Sequence, residues 1–258
     1  MSRRAVFPLM VGFGLAAAWF PTIAPAIPEG APSFLTDIVA VPDGRSVRFA
    51  DGRVAILPHL LPPGPDRHAP MTDTSPIRAA ARALADMTLG RRVRVDLATP
   101  GLDRHGRPRA RLLVDGLDVS IAMVEGGFAR VFPEPGADPN RVHALIAAEN
   151  AARRRGAGFW RTGIFAVADA DPYSGGADRF EIVEGKPRAV TRVGRRDHLE
   201  FGTDWRVDFT VGLSRAISRA LPMETLVGRV VSARGWIRTW NGPFMEIDEP
   251  TRLIVDPT

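Results

Sequence analysis

The stretch FLTDIVAVPDGRSVRFADGRVAILPHLLPP, residues 34–63, narrows the fold most, because it sets three short alternating runs around two Asp-Gly pairs. Successive side chains of a strand face opposite ways, and Asp-Gly is a preferred hairpin turn. Strands centred near Ile38, Val47 and Val54 are therefore predicted, with Asp43-Gly44 and Asp51-Gly52 as the turns. A proline-rich loop from Pro58 to Pro76 leads into a helix, with Ser75 as N-cap and Pro76 at the first helical position. Ile77, Ala80, Ala81 and Leu84 share its buried face, and Gly90 stops it. In RRVRVDLAT (91–99), Val93, Val95 and Leu97 alternate with Arg92, Arg94 and Asp96, a fourth strand. The fifth is DRHGRPRARLLVDG, residues 103–116. Helices follow from Asp118 to Glu125, ended by Gly126-Gly127, and from Pro139 to Arg155, capped by Asp138 and stopped by Gly156. Three strands, a helix and two strands is the order of a five-stranded OB-type barrel.

Beyond ADADPYSGGAD (168–178), a stretch of small and polar residues, the order recurs. FEIVEGKPRAVTRV, DHLEFG and WRVDFTV read as strands and LSRAISRAL as a helix. LVGRVVSARGWIRTW and FMEIDEPTRLIV close the set, with Asn241-Gly242 as a hairpin turn. The predicted class is mainly β with appended helices, α+β, built as tandem OB-fold barrels. The expected divisions are a signal peptide over 1–26, a first barrel domain over 33–165, a linker over 166–178 and a second over 179–258.

The N-terminus carries export chemistry. Ser2-Arg3-Arg4 precedes the uncharged apolar run 5–20, and Ala24-Pro25-Ala26 supplies a small-x-small cleavage pattern. A secreted or periplasmic mature chain is expected; an uncleaved segment would leave it membrane-anchored. Nothing later is apolar and long enough to span a bilayer. The chain has no cysteine, which excludes disulfides, thiol catalysis and thiolate metal sites. Its pI near 10.9 resembles that of a nucleic-acid binder. Removing residues 1–26, however, leaves 32 bases against 29 acids, a net charge of +3. Any cationic site must therefore arise from local arrangement.

In the fifth strand, Arg107, Arg109 and Arg111 would share one face about 7 Å apart. They could hold phosphates, or form the wet side of a half-buried sheet. Three further patterns bear on the choice. Asp103-Arg104-His105-Gly106-Arg107 followed by Ala110 resembles the D-x-x-G-R-x-x-A segment of staphylococcal-nuclease-like (thermonuclease) domains. Met123-Val124-Glu125-Gly126-Gly127-Phe128-Ala129-Arg130-Val131 is similar to their L-V-x-x-G-x-A-x-V. Ala148-Glu149 and Ala151-Ala152, leading to Gly158-Phe159-Trp160, resemble their last helix and terminal tryptophan. The resemblance covers about residues 36–160.

It implies a phosphodiesterase using carboxylate-bound calcium, a glutamate general base and two arginines on the phosphate. Such chemistry needs hard oxygen ligands for the ion and guanidinium forks for the phosphate. The second arginine falls on Arg107. The rest of the set does not carry over. Arg45 and Leu60 stand where metal carboxylates are expected, Pro63 where the base is expected, and Ala55 where the first arginine is expected. Asp66 and Asp73 are the nearest downstream acids, while His59 and His68 are poor calcium ligands.

The expectation is thus a non-catalytic nucleic-acid-binding, phosphate-binding or structural module, with Arg107 a vestigial phosphate clamp or a solvent-facing arginine paired with Asp103. Arg104, Arg107, Arg109 and Arg111 are the candidate contacts. No metal or cofactor is expected; calcium enters only with a rearranged active nuclease site. Expected partners are single-stranded nucleic acid or phosphate bound weakly, or a protein in an envelope scaffold, with no membrane contact after cleavage. Arg153-Arg154-Arg155 suits either a polyanion or the last turn of its helix. Phe201, Trp205 and Trp240 are stacking platforms or packing groups on the second barrel, with Glu181, Glu184, Asp204 and Asp208 opposing a polyanion.

Overall fold

The computed structural model describes residues 33–64, 73–204 and 207–256. The first unit contains strands β1 (Ser33–Asp43), β2 (Ser46–Phe49), β3 (Val54–Ile56) and β4 (Leu60–Leu61), then helix α1 (Ser75–Thr88). Strands β5 (Arg92–Leu102), β6 (Pro108–Val114) and β7 (Leu117–Asp118), helix α2 (Val119–Glu125), strand β8 (Arg130–Val131) and helix α3 (Pro139–Arg155) follow.

β1 joins two neighbours. Its first half pairs with β5, from Ser33 opposite Asp96 to Asp37 opposite Arg92. Its second half pairs with β2, from Ile38 opposite Phe49 to Asp43 opposite Ser46. β2 pairs with β3, β5 with β6, and a parallel contact between Ile56 and Arg109 closes the ring. This is a closed barrel in the order β1-β2-β3-β6-β5. Its interior holds Ile38, Val47, Phe49, Ala55, Val93, Val95, Ala110 and Leu112, capped by apolar faces of α2 and α3.

The helix signals act locally as expected, with one shift. Thr74 rather than Ser75 precedes α1, and Asp73 accepts from the Ser75 N–H at 2.8 Å. On α1, Ala80 and Leu84 are buried as predicted, whereas Ile77 and Ala81 are only partly so. Asp118 caps α2 by accepting from the Ser120 and Ile121 N–H groups, and Gly156 ends α3 in the left-handed region at φ 59°.

The second unit comprises β9 (Ala168–Asp169), β10 (Phe180–Gly185), β11 (Ala189–Val193), β12 (Arg196–Glu200), β13 (Thr210–Ser214), α4 (Arg215–Ala220), β14 (Val231–Thr239), β15 (Pro243–Ile247) and β16 (Leu253–Val255). β10 pairs with β14, β14 with β15, β15 in parallel with β13, β13 with β12, and β12 with β11. β10 and β11 are consecutive arms of one path interrupted at Lys186-Pro187-Arg188, so they do here what the two halves of β1 do in the first barrel. Proline has no N–H to give a ladder, which accounts for the break. The strand order of the first unit is thereby repeated without visible sequence repetition. Asn241 and Gly242 both take positive φ, 49° and 102°, as the β14–β15 hairpin requires.

The segment expected to be a linker is part of this second body. β9 pairs in parallel with β10, Ala168 and Ala170 are in the core, and Tyr173 stacks on Phe209 at 5.4 Å. Small residues permit that close packing, which composition alone reads as flexibility. Phe201 is likewise a core residue, not a stacking platform. Trp205 lies outside the described residues.

The two units meet across a wide contact. Phe132 packs edge-on against Phe180 at 5.5 Å. Arg130 donates to the Phe180 carbonyl at 3.1 Å, and Arg252 donates to the Pro133 carbonyl at 2.7 Å. Arg153 forms two bonds to Glu184, at 2.6 and 3.0 Å. At the centre, Arg234 of β14 reaches Glu149 of α3 at 2.7 Å, and the other Glu149 oxygen accepts from the Val131 N–H.

Candidate functional site

The Asp43-Gly44 turn, the segment from Leu57 to Pro63, and β6 meet at one end of the first barrel. Gly44 is needed there because a Cβ would stand 2.8 Å from both the Ala80 and Pro62 Cβ atoms. Asp43 is occupied by its own turn, accepting from the Arg45 N–H at 2.8 Å and the Ser46 hydroxyl at 3.0 Å. The Arg45 guanidinium donates to the Leu60 carbonyl at 3.4 Å and lies 3.9 Å from Glu134.

Glu134 is the hub of this end. Its other oxygen pairs with Arg109 at 2.7 Å, and its N–H donates to His59 Nδ1 at 3.2 Å. His59 sits in the left-handed region at φ 67°. Burial, then the positive charges of Arg109 and Arg141, hold its imidazole at a pKa of about 4, neutral through the physiological range. Leu60 is fully buried in a short pairing with Val131, so its side chain joins the core. Ala55 and Pro63 are also buried.

Of the candidate arginines, Arg109 is only 7 % exposed at its side chain and bound to Glu134. Arg111 pairs with Asp118 at 2.5 Å, and Arg141 adds a two-pronged bond to the same carboxylate. These two positions are therefore not a wet strand face. Glu134 of the 132–134 segment and Asp118 of β7 bring counter-charges over it, an arrangement that alternation along β6 does not encode.

Arg107 and Arg104 lie in the β5–β6 turn, away from that cluster in bonding. Arg107 pairs with Asp103 at 2.8 Å, the contact named as the alternative to a phosphate clamp. Burial would raise the Asp103 pKa, but hydrogen bonds from the Arg107 N–H, the Arg107 side chain and the His105 N–H lower it to about 2. Arg104 is exposed and donates to the His105 ring at 3.0 Å.

This donor set does not fit a calcium ion. Both Asp43 oxygens serve the turn, and both Glu134 oxygens face guanidinium groups, those of Arg45 and Arg109. Among the described residues no three His, Asp or Glu side chains converge as metal ligands. Asp73 accepts from the Ser75 N–H at the start of α1; Asp66 and His68 lie outside the described residues. What the arrangement can do is bind charge to charge and fix the loop 57–63 against β6.

Glu134 is the member that sequence reasoning missed. It follows Val131-Phe132-Pro133 in a loop, with no spacing relation to Arg45 or Arg109, and only the fold brings the three together. Arg154 and Arg155 close α3 as cations suited to a helix C-terminus, with Arg155 donating to the Glu125 carbonyl at 3.2 Å.

The comparison with known families agrees with this frame. Residues 65–162 match the family model described as staphylococcal nuclease homologue. No curated protein matches the chain. The fold and the match define a staphylococcal-nuclease-like domain. The match takes in α1, β5, β6, α2 and α3. Strands β1 to β4, which complete the barrel and carry Arg45, Ala55 and Leu60, precede it.

Proposed function

We propose that this chain is an exported, non-catalytic tandem-barrel protein whose first domain keeps the nuclease frame but has exchanged its metal site for an ion-pair cluster. The observation that carries the reading is Arg45. It stands where the resemblance calls for a metal carboxylate, and its guanidinium turns to Glu134. A cation cannot ligate calcium, and neither Leu60 nor Pro63 can ligate metal or take a proton from water. Arg107 alone can grip a phosphate but cannot orient a hydroxide. Losing several such groups together costs many powers of ten in rate, each about 1.4 kcal/mol.

Residual phosphate or single-stranded nucleic-acid contact is assigned to Arg104 and Arg107, which remain accessible at the β5–β6 turn. A scaffold role in the envelope is the second reading. It is favoured by the number of arginines engaged within the molecule, among them Arg109, Arg111, Arg153 and Arg234. Export rests on the basic, apolar and Ala-Pro-Ala sequence at the N-terminus. It is checked by sequencing the mature terminus, expected near Ile27; a full-length membrane species would mean an anchor.

The test of the central claim is digestion of DNA and RNA by the purified chain with calcium, against an Arg107→Ala control. No calcium-dependent cleavage is expected. Cleavage that disappears in the control would overturn the reading and point to Asp66 or Asp73 as replacement ligands.

A further inference from the structure

A cleft of about 750 Å³ opens between α1 and the segment formed by the β6–β7 turn and α2. Small-molecule sites run from about 300 to 1,000 Å³, so this is the size of a ligand site. One wall is a stripe of α1 with four-residue spacing, Ala79, Ala83 and Met87, and Val119 and Phe128 supply apolar surface from the other side.

The charges around it are unevenly placed. Arg78 and Arg82, one helical turn apart, line the end nearer the start of α1. Among the described residues Arg78 donates to the hydroxyls of Thr74 and Ser75, at 2.5 and 3.2 Å. Among the described residues neither guanidinium has a carboxylate within 4.0 Å. Asp73 accepts from the Ser75 N–H at 2.8 Å and offsets the positive end of the α1 dipole, so the positive potential here rests on the two arginines. Towards the other end, Asp86 and the Arg91–Asp115 pair at 3.9 Å leave no excess of positive charge.

An apolar trough with two arginines at one end, neither in a direct ion pair among the described residues, complements an amphiphile with one anionic end. We propose that the cleft binds a fatty-acid anion, its carboxylate on Arg78 and Arg82 and its alkyl chain along Ala79, Ala83 and Met87. Guanidinium groups match a carboxylate in bidentate fashion. Asp86 and Asp115 disfavour the reversed orientation. None of these residues belongs to the Arg45–Glu134 cluster, so the assignment stands or falls independently of the reading above.

The experiment is calorimetric titration of the full mature chain with dodecanoate below its micellar concentration, and with dodecan-1-ol as a neutral match. Saturable one-site binding is expected for the acid, with the alcohol at least tenfold weaker, about 1.4 kcal/mol. An Arg78→Ala/Arg82→Ala variant should lose at least that tenfold for dodecanoate and none for the alcohol. Both side chains are exposed, so the variant should retain the parent melting curve. Ala79→Trp, which fills the trough, should weaken both ligands. The proposal is overturned by absence of saturable dodecanoate binding, by equal affinities for acid and alcohol, or by an arginine variant that binds dodecanoate as the parent does.

Discussion

Arg234 and Glu149 are each 2 % exposed at their side chains and joined at 2.7 Å, a buried ion pair with one partner in each barrel. Removing one member of such a pair strands the other charge without water, which costs about 3–5 kcal/mol. Arg234→Ala and Glu149→Ala are each expected to lower the denaturant midpoint sharply. Replacing both residues with leucine should recover only part of the loss, because the Val131 N–H then lacks its Glu149 acceptor. Equilibrium unfolding followed by fluorescence and circular dichroism reads this, and the parent should show one coincident transition. Two separated transitions in the parent would mean that the barrels are energetically independent.

His59 gives stability a pH dependence of known sign. Its folded pKa of about 4 lies below the ordinary 6.5, so the unfolded chain binds the proton more readily. This contribution is complete above pH 6.5 and is lost as pH falls towards 4, about 3 kcal/mol in all. Asparagine tolerates the left-handed backbone and does not titrate. His59→Asn should therefore flatten the loss between pH 6.5 and 4, measured by urea unfolding at closely spaced pH values. An unchanged profile would assign the loss to another group.

The four arginines of the D-x-x-G-R segment and β6 should separate into two kinds. Oligonucleotide binding, where detected at low salt, should weaken as salt rises, because phosphate contacts release counterions. Arg104→Ala/Arg107→Ala should reduce both affinity and the salt slope with little change in melting temperature. Arg109→Ala and Arg111→Ala remove partners from Glu134 and Asp118 and should instead lower stability. Oligonucleotide titrations at two salt concentrations, paired with thermal melts, distinguish the outcomes.

Gly127 and Gly158 interlock two chain segments. A Cβ on Gly127 would stand 2.1 Å from the Ala157 carbonyl oxygen, and one on Gly158 would stand 2.4 Å from that of Gly126. Both also have positive φ, 70° and 50°. Gly127→Ala is expected to cost at least about 2 kcal/mol, from backbone strain plus displacement of the facing carbonyl. A melting curve matching the parent would show that this junction yields.

The local signals carried most of the architecture. Asp-Gly and Asn-Gly turns, the Asp138 and Gly156 helix signals, and alternation around Val93 and Leu112 each depend on neighbours in the chain, so they could be read in sequence. The strand order then followed from the succession of elements. Contacts between distant segments could not be read this way. Glu134 meets Arg45 and Arg109 only after the barrel closes, and Arg234 looks like any polar residue of an alternating strand. The small residues at 168–178 have the composition of a connector yet pack because they are small. The ion pairs that Glu134 makes with Arg45 and Arg109 have no counterpart in local spacing.

The corner between β10 and β11 also has a practical consequence. The basic complement of the chain is almost wholly arginine, and its single lysine, Lys186, is exposed at that corner. An amine-reactive dye therefore finds one side-chain target, where the path closing the second barrel changes partners. Labelling there requires no engineered residue and turns acylation rate, or the spectrum of the attached dye, into a reporter on how firmly that seam stays shut.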